Sequence, residues 1–349
     1  MVDGNRLPDG LELLEQALAA FHEATGLRLK LDRPGQLDAT GRRVDAVLRL
    51  PDHELEKGLV AEIRLRINNA VVATIRDRFA DAAHLTCLVT TYVNPNMAER
   101  LRAQDRAFID TVGNAYLNVP PVYVFVKGKR PPRDMRIPKP NRAFQTTGLK
   151  VVFALLCRPG LAEAPYREIA QLTDVALGTI ARVIHDLKRL DFVVDVQEGR
   201  RYLRNRRELL DRWVAAYPEQ LRPRLMIGRF RAARPDWWKT AAPLERGTAY
   251  WGGETAAALL TRHLRPELVT VYCREAPQEV QLKNQLHRDP NGETELLRTF
   301  WDRALDYENR QLVPPLLTYA DLLGTGDPRN VETAKLLYEQ EIAGPLGND

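Results

Sequence analysis

The sequence is poor in the residues that build redox and metal chemistry. Its three cysteines, Cys87, Cys157 and Cys273, stand far apart and form no CxxC pair, which argues against a zinc ribbon or a disulfide scaffold. They read instead as small buried apolar residues in a reducing cytoplasm. Six histidines are scattered without paired ligand spacing, and no nucleophile–base pair stands out. No Walker lysine motif and no GxGxxG is present, so the sequence gives no sign of a cofactor, and no metal is expected. No apolar run reaches the roughly 18 residues of a transmembrane helix, so no membrane partner is expected. The first residues, MVDGNRLPDG, have neither a basic n-region nor an apolar h-region, so no signal peptide is expected and the expected location is cytoplasmic.

What is abundant is arginine, unevenly placed. The chain has 349 residues and a net charge of +5, with 44% hydrophobic and 28% charged residues, the balance of a multidomain globular protein. Residues 127–142, KGKRPPRDMRIPKPNR, carry seven Lys or Arg against one Asp. Residues 200–207, RRYLRNRR, add five Arg, and residues 222–239 add six basic residues against one acid. Positive charge concentrated mid-chain suits a polyanion partner. The plainer reading is an arginine-rich composition on solvated faces.

Hydrophobic periodicity divides the chain into an α/β domain over 1–130, a basic proline-rich linker over 131–143, a small domain over 144–205 and a C-terminal α/β domain over 206–349. In the first, Leu11, Leu14, Leu18 and Phe21 mark one helix face, with Gly26 as its stop. RLKLD, RVDAVLRL and GLVAEIRLRI read as strands, NAVVATIRDRFADAA as a helix, LTCLVTTYV as a buried strand and PNMAERLRAQD as a short helix opened by proline. The stretch FIDTVGNAYL, residues 108–117, admits two readings: a catalytic turn, or a hairpin whose Gly113 and Asn114 permit the reversal while Asp110 accepts backbone N–H groups. The hairpin is favoured. In the C-terminal domain, RELLDRWVAAYPEQL, GETAAALLTRHL and ELLRTFWDRALDYE read as helices and LVTVYC as a buried strand. VPPLLTYADLLGTGDPRNVETAKLLYEQEIAG reads as a strand, a structured loop and a closing helix.

Residues 144–205 carry the most specific pattern: helix, helix, tight turn, helix, then strand, Glu-Gly turn, strand. That is the order of a winged helix-turn-helix. Ile180, Val183, Ile184 and Leu187 give the last helix a buried face. Its leading end, Ala176 to Arg182, would enter the major groove of duplex DNA, with Thr179 and Arg182 reaching base edges or phosphates. Arg200, Arg201 and Arg204 on the wing, and Lys127, Lys129 and Arg130 before the linker, would contact the backbone. A winged helix used only for protein contacts is the alternative.

A second constellation lies in the first domain. Restriction-endonuclease-like folds place an Asp at a strand start and an acid-x-Lys on the next strand, where two carboxylates hold a divalent ion. Asp45 and Glu62 fit that order. The third position is Arg64, which stays protonated and cannot act as a base. A metal-dependent nuclease using Asp45, Glu62 and Arg64 is therefore the alternative function, and a retained fold with lost chemistry is preferred. A helical acid, Glu12 or Glu15, would join such a site. Elsewhere, YWGGETAAALLT (250–261) offers either a phosphate-binding helix start or a helix capped by Glu254 and Thr255. In DLLGTGDPRNVETA (321–334), Asp327-Pro328 reads as a helix start.

Taken together, YVNPNMAERLRAQDRAFIDTVGNAYLN, the 146–205 pattern, WGGETAAALLT and VPPLLTYADLLGTGDPRNVETAKLLYE resemble the AbiEi-type antitoxin family of type IV toxin–antitoxin systems, in its transcriptional-regulator branch. The resemblance implies a DNA-binding autoregulator that counters a nucleotidyltransferase-type toxin, without necessarily forming a stable complex with it. It supplies no catalytic residues. In the simplest members the winged helix comes first, whereas here an α/β domain precedes it. A homodimer would suit a palindromic site.

Overall fold

In the computed structural model, residues 8–37, 43–51, 59–64, 66–78, 85–132, 141–196, 200–234, 236–240, 244, 247–275, 277–307 and 311–347 are described. They form a mixed α/β protein of two compact units. One comprises residues 1–68 and 75–139, the other residues 69–74 and 140–349.

The first unit is a seven-stranded sheet in sequential order. After helix α1 (Pro8–Thr25), strands β1 (Lys30–Leu37), β2 (Arg43–Arg49) and β3 (Leu59–Arg64) pair antiparallel. Helix α2 (Asn69–Arg78) follows, and β4 (Leu85–Thr90) then pairs parallel with β3. Helix α3 (Pro95–Ala103) precedes β5 (Ala107–Asp110), which is parallel to β4. Strands β6 (Ala115–Val119) and β7 (Val122–Val126) close the sheet antiparallel. The parallel centre is buried on both faces, which is why β4 reads as an unbroken apolar run rather than an alternation. Leu14, Ala17 and Phe21 of α1 recur at three and four residues and pack with Ala61, Cys87, Val89 and Ile109 of the sheet. Asn94 caps α3 by accepting from the Met97 N–H, and Pro95 occupies the first turn, where its missing N–H costs nothing.

FIDTVGNAYL is a hairpin, with Phe108 opposite Tyr116 and Ile109 opposite Ala115. Gly113 has φ +92°, which only glycine adopts freely. The Asp110 carboxylate accepts from the N–H groups of Val93, Val112 and Asn114 and from the Asn114 side-chain amide, all at 2.8–2.9 Å. Burial pushes its carboxyl above the ordinary range against the pull of these donors. Asp110 thus anchors a turn.

The second unit has a helical layer over a five-stranded sheet. Its helices are α4 (Thr146–Cys157), α5 (Tyr166–Thr173), α6 (Leu177–Arg189), α7 (Arg206–Gln220), α8 (Arg222–Leu225), α9 (Trp237–Thr240), α10 (Gly253–Thr261), α11 (Pro277–Lys283), α12 (Pro315–Thr325), α13 (Pro328–Leu337) and α14 (Ala343–Leu346). A two-stranded ladder, β8 (Val193–Asp195) with β9 (Arg201–Leu203), follows α6. The sheet runs β11 (Ala249–Gly252), β12 (Val269–Cys273), β14 (Thr294–Arg298), β10 (Met226–Ala232), β13 (Leu286–Arg288) in space; β12 and β14 are parallel and the other pairs antiparallel. Strand alternation sorts β12. Tyr272 faces the helical core, where Trp213, Tyr217, Phe153 and Trp301 also lie, while Val269, Val271 and Cys273 face a second cluster with Phe230, Trp237 and Trp251.

Two secondary-structure expectations in this unit change. ELLRTFWDRALDYE is not a helix: Thr294–Arg298 is the strand between β12 and β10. Leu296 and Leu297 serve opposite buried faces, so an adjacent apolar pair that mimics helical spacing is what a central strand needs. Of VPPLLTYADLL, only the start is strand-like, where the preceding Leu312 bridges Trp251 and the Val313 N–H donates to the Trp251 carbonyl; the rest is α12, with Pro315 in its first turn and Gly326 at its C-terminal cap with φ +65°. Residues 315–323 are buried all round, leaving no polar stripe to reveal the helix. Cys87 and Cys273 are buried and Cys157 half-buried, all as free thiols, and burial pushes the first two up to about 12.

Candidate nucleic-acid interface

Helix α5 ends at Asp174 in the left-handed conformation (φ +49°), which turns the chain within three residues into α6. Ile169, Val175, Ile180, Val183, Ile184 and Leu187 are buried and fix the two helices against α4. On α6 they leave the opposite face open: Gly178, Arg182, His185 and Arg189 recur at helical spacing and are exposed, and Leu177 is 46% exposed at the leading end. Thr179 is half-buried. Among the described residues Arg182 and Arg189 have no ion-pair partner. Arg189 was not singled out from the sequence, although its spacing of seven from Arg182 places it on the same face.

The hairpin registers Val193 with Leu203, Val194 with Tyr202 and Asp195 with Arg201. Its expected Glu198-Gly199 turn lies outside the described residues. Its arginines divide. Arg200 is exposed. Arg201 donates to the Ala162 carbonyl at 3.1 Å and to the Ala164 carbonyl, and lies 4.2 Å over the Tyr166 ring, so it ties the hairpin to the start of α5. Arg204 is exposed and pairs with Asp191 at 3.3 Å. Lys188 is held by Asp195 at 2.6 Å.

Lys127, Lys129 and Arg130 belong to the first unit and are exposed at the end of β7. Lys127 pairs with Glu99, and the Lys129 N–H donates to the Asn114 side chain at 2.9 Å. Of the expected linker, residues 133–140 lie outside the described residues.

Asp45 and Glu62 are brought together on β2 and β3 by way of Arg64. Arg64 Nη1 lies 3.4 Å from Asp45 Oδ2 and donates to the Ile63 carbonyl at 2.8 Å, while Nη2 donates to Glu62 Oε1. Asp45 Oδ2 also accepts from the Ile63 N–H at 2.8 Å. Glu12 accepts from Gln16, and Glu12 and Glu15 are exposed on α1. Among the described residues no three His, Cys, Asp or Glu side chains converge as a metal site.

The two motifs of the C-terminal region have structural partners. A Cβ on Gly252 would meet the Tyr272 ring at 2.5 Å, and Gly253 has φ +50° with Thr270 Oγ1 2.7 Å from its Cβ position. These glycines therefore admit β12 side chains. Glu254 does not cap its helix: it accepts from the Glu267 and Leu268 N–H groups and from Asn330 Nδ2. Asp327 does cap α13 through the Arg329 N–H. Asp321 joins a buried network that the sequence did not reveal. It pairs with Arg222 at 3.0 Å and accepts from Tyr217 and Tyr272, while Arg222 also holds Glu295 at 2.6 Å and Arg229 holds Glu295 at 3.1 Å.

Among the described residues no helix is long and apolar enough to cross a membrane. No curated protein and no solved structure matches the chain. A family model does match, and it covers two of the four stretches that carried the resemblance, WGGETAAALLT and VPPLLTYADLLGTGDPRNVETAKLLYE. The model of the family described as transcriptional regulator, AbiEi antitoxin, type IV TA system matches residues 202–343, from β9 to the last helical turns.

Proposed function

We propose that the protein is a DNA-binding transcriptional regulator and antitoxin of a type IV toxin–antitoxin or phage-defence locus, and that residues 144–205 are a winged helix-turn-helix that grips duplex DNA. The observation that carries this is the open leading end of α6. Leu177 and Gly178 are exposed there and Arg182 stands unpaired among the described residues, in a chain whose C-terminal region matches a family of transcriptional regulators. Exposed apolar and arginine side chains at a helix start suit thymine methyls and guanine edges. Thr179 lies beside them. Arg189, Arg200 and Arg204 would meet phosphates, as would Lys127, Lys129 and Arg130 from the domain over 1–130. The contacts of Arg201 make it a brace for the hairpin first and a phosphate ligand second.

In this reading the domain over 206–349 carries the antitoxin function toward a nucleotidyltransferase-type toxin, residues 131–143 link the domains, and a dimer reads a palindromic operator. The domain over 1–130 is restriction-endonuclease-like: a helix, three antiparallel strands, then a crossover to a parallel strand, with Asp45 and Glu62 on adjacent strands. Fluorescence anisotropy with duplexes from the protein's own promoter tests the main proposal. Arg182→Ala is expected to weaken the specific duplex by about 1–3 kcal/mol, roughly 5- to 150-fold, and to flatten discrimination at one base position. Equal affinity of wild type and variant for every duplex, or no duplex binding at low salt, overturns the assignment.

A further inference from the structure

A nuclease of this architecture would hold a divalent ion between the acids of β2 and β3, and the residues present do not fit one. Three oxygens converge there: Asp45 Oδ2, Glu62 Oε1 and the Ile63 carbonyl. All three face the Arg64 guanidinium. Magnesium needs such oxygens free, at about 2.0–2.1 Å in near-octahedral array. Glu62 is only 2% exposed, so its charge requires a cation within the protein. Arg64 meets that requirement, with a planar fork whose Nη1 and Nη2 each reach one of the two carboxylates. Its guanidinium does not lose its proton at any physiological pH, so it cannot step aside as a neutral group.

We propose that Arg64 is the resident cation of this site, occupying by its guanidinium the place of a divalent ion, so that the first unit keeps a nuclease framework without metal or hydrolysis. The proposal is independent of what α6 binds. Calorimetric titration with Mn²⁺ alone tests it, on wild type, Asp45→Asn, Arg64→Ala and the Asp45→Asn/Arg64→Ala double variant, each checked by far-UV circular dichroism. Wild type is expected to show no Asp45-dependent binding. Arg64→Ala, with the guanidinium removed from the site, should bind Mn²⁺ about tenfold or more tighter than wild type, and the double variant should lose that gain. Binding by wild type that Asp45→Asn abolishes overturns the proposal, as does a folded Arg64→Ala no tighter than wild type. Should Arg64→Ala not fold, the comparison of wild type with Asp45→Asn still decides, and Arg64→Gln, which removes the cation but keeps an N–H donor, replaces it.

Discussion

Replacing Arg222 with alanine tests the buried network of the second unit. Arg222 neutralises two carboxylates whose side chains are 2% and 4% exposed, Asp321 and Glu295. Removing one member of a buried ion pair costs about 3–5 kcal/mol, because the other charge stays buried alone. Here Glu295 keeps Arg229, and Asp321 keeps the hydroxyls of Tyr217 and Tyr272. The lower end, about 3 kcal/mol, is therefore expected. With a urea slope of about 2–3 kcal/mol/M, the midpoint should fall by about 1–1.5 M. Tryptophan fluorescence is the natural probe, since all five tryptophans (213, 237, 238, 251 and 301) lie in the second unit and none in the first. Burial pushes the Asp321 carboxyl up, and Arg222 opposes it. Without Arg222 the carboxyl rises further and favours its neutral form in the folded state. A raised acid contributes stability that is present below the unfolded value near 4 and lost as pH rises through the folded value. The deficit of the variant relative to wild type should therefore shrink in acid. A midpoint shift under about 0.3 M, or a deficit that grows as pH falls, would refute the reasoning.

Three further outcomes follow from the geometry. Asp110→Ala leaves three backbone N–H groups without their acceptor, so a loss of about 2–4 kcal/mol is expected, read as faster hydrogen exchange at Val93, Val112 and Asn114. Arg201→Ala should lower the melting temperature through the lost contacts to the Ala162 and Ala164 carbonyls and the Tyr166 ring; an unchanged melting temperature would count against its bracing role. The Tyr116 hydroxyl and then the Asn118 amide hold the Asp105 carboxyl below its usual range. Its contribution is therefore present above the unfolded value and lost as pH falls through the folded one, so Asp105→Asn should flatten the acid limb of the first unit's stability curve, followed by tyrosine circular dichroism.

Much of the first unit was legible because its signals are local. A proline at a helix start, a Gly-Asn turn and apolar runs bounded by polar breaks name their own structures. The open face of α6 was legible for the same reason, since four buried residues at helical spacing define what remains outside. What stayed hidden is what tertiary context decides. Leu296 and Leu297 belong to a strand only because β10 and β12 flank it, and α12 loses its stripe by being enclosed. Arg222 and Asp321 stand about a hundred positions apart, and neither carries a mark that points to the other. Arg201 looked like its neighbours in a basic run until the fold brought two carbonyls to it. Asp45 and Glu62 were read as a pair from strand order, but that Arg64 bridges them depends on side-chain geometry.

Residues 69–74, which precede the β4 strand of one unit, belong to the other, where Ala70 and Ala73 lie in the core. Asn69 donates its amide to the Gly324 and Thr325 carbonyls, the groups that the end of α12 leaves without helical partners. A C-terminal fragment beginning at residue 140 would thus lack six of the unit's own residues, with a hole where two alanines sat and a frayed α12. Dissecting this protein by sequence order alone would produce a weaker fragment than its length suggests, and supplying the 69–74 peptide in trans or by fusion should restore what the cut removed.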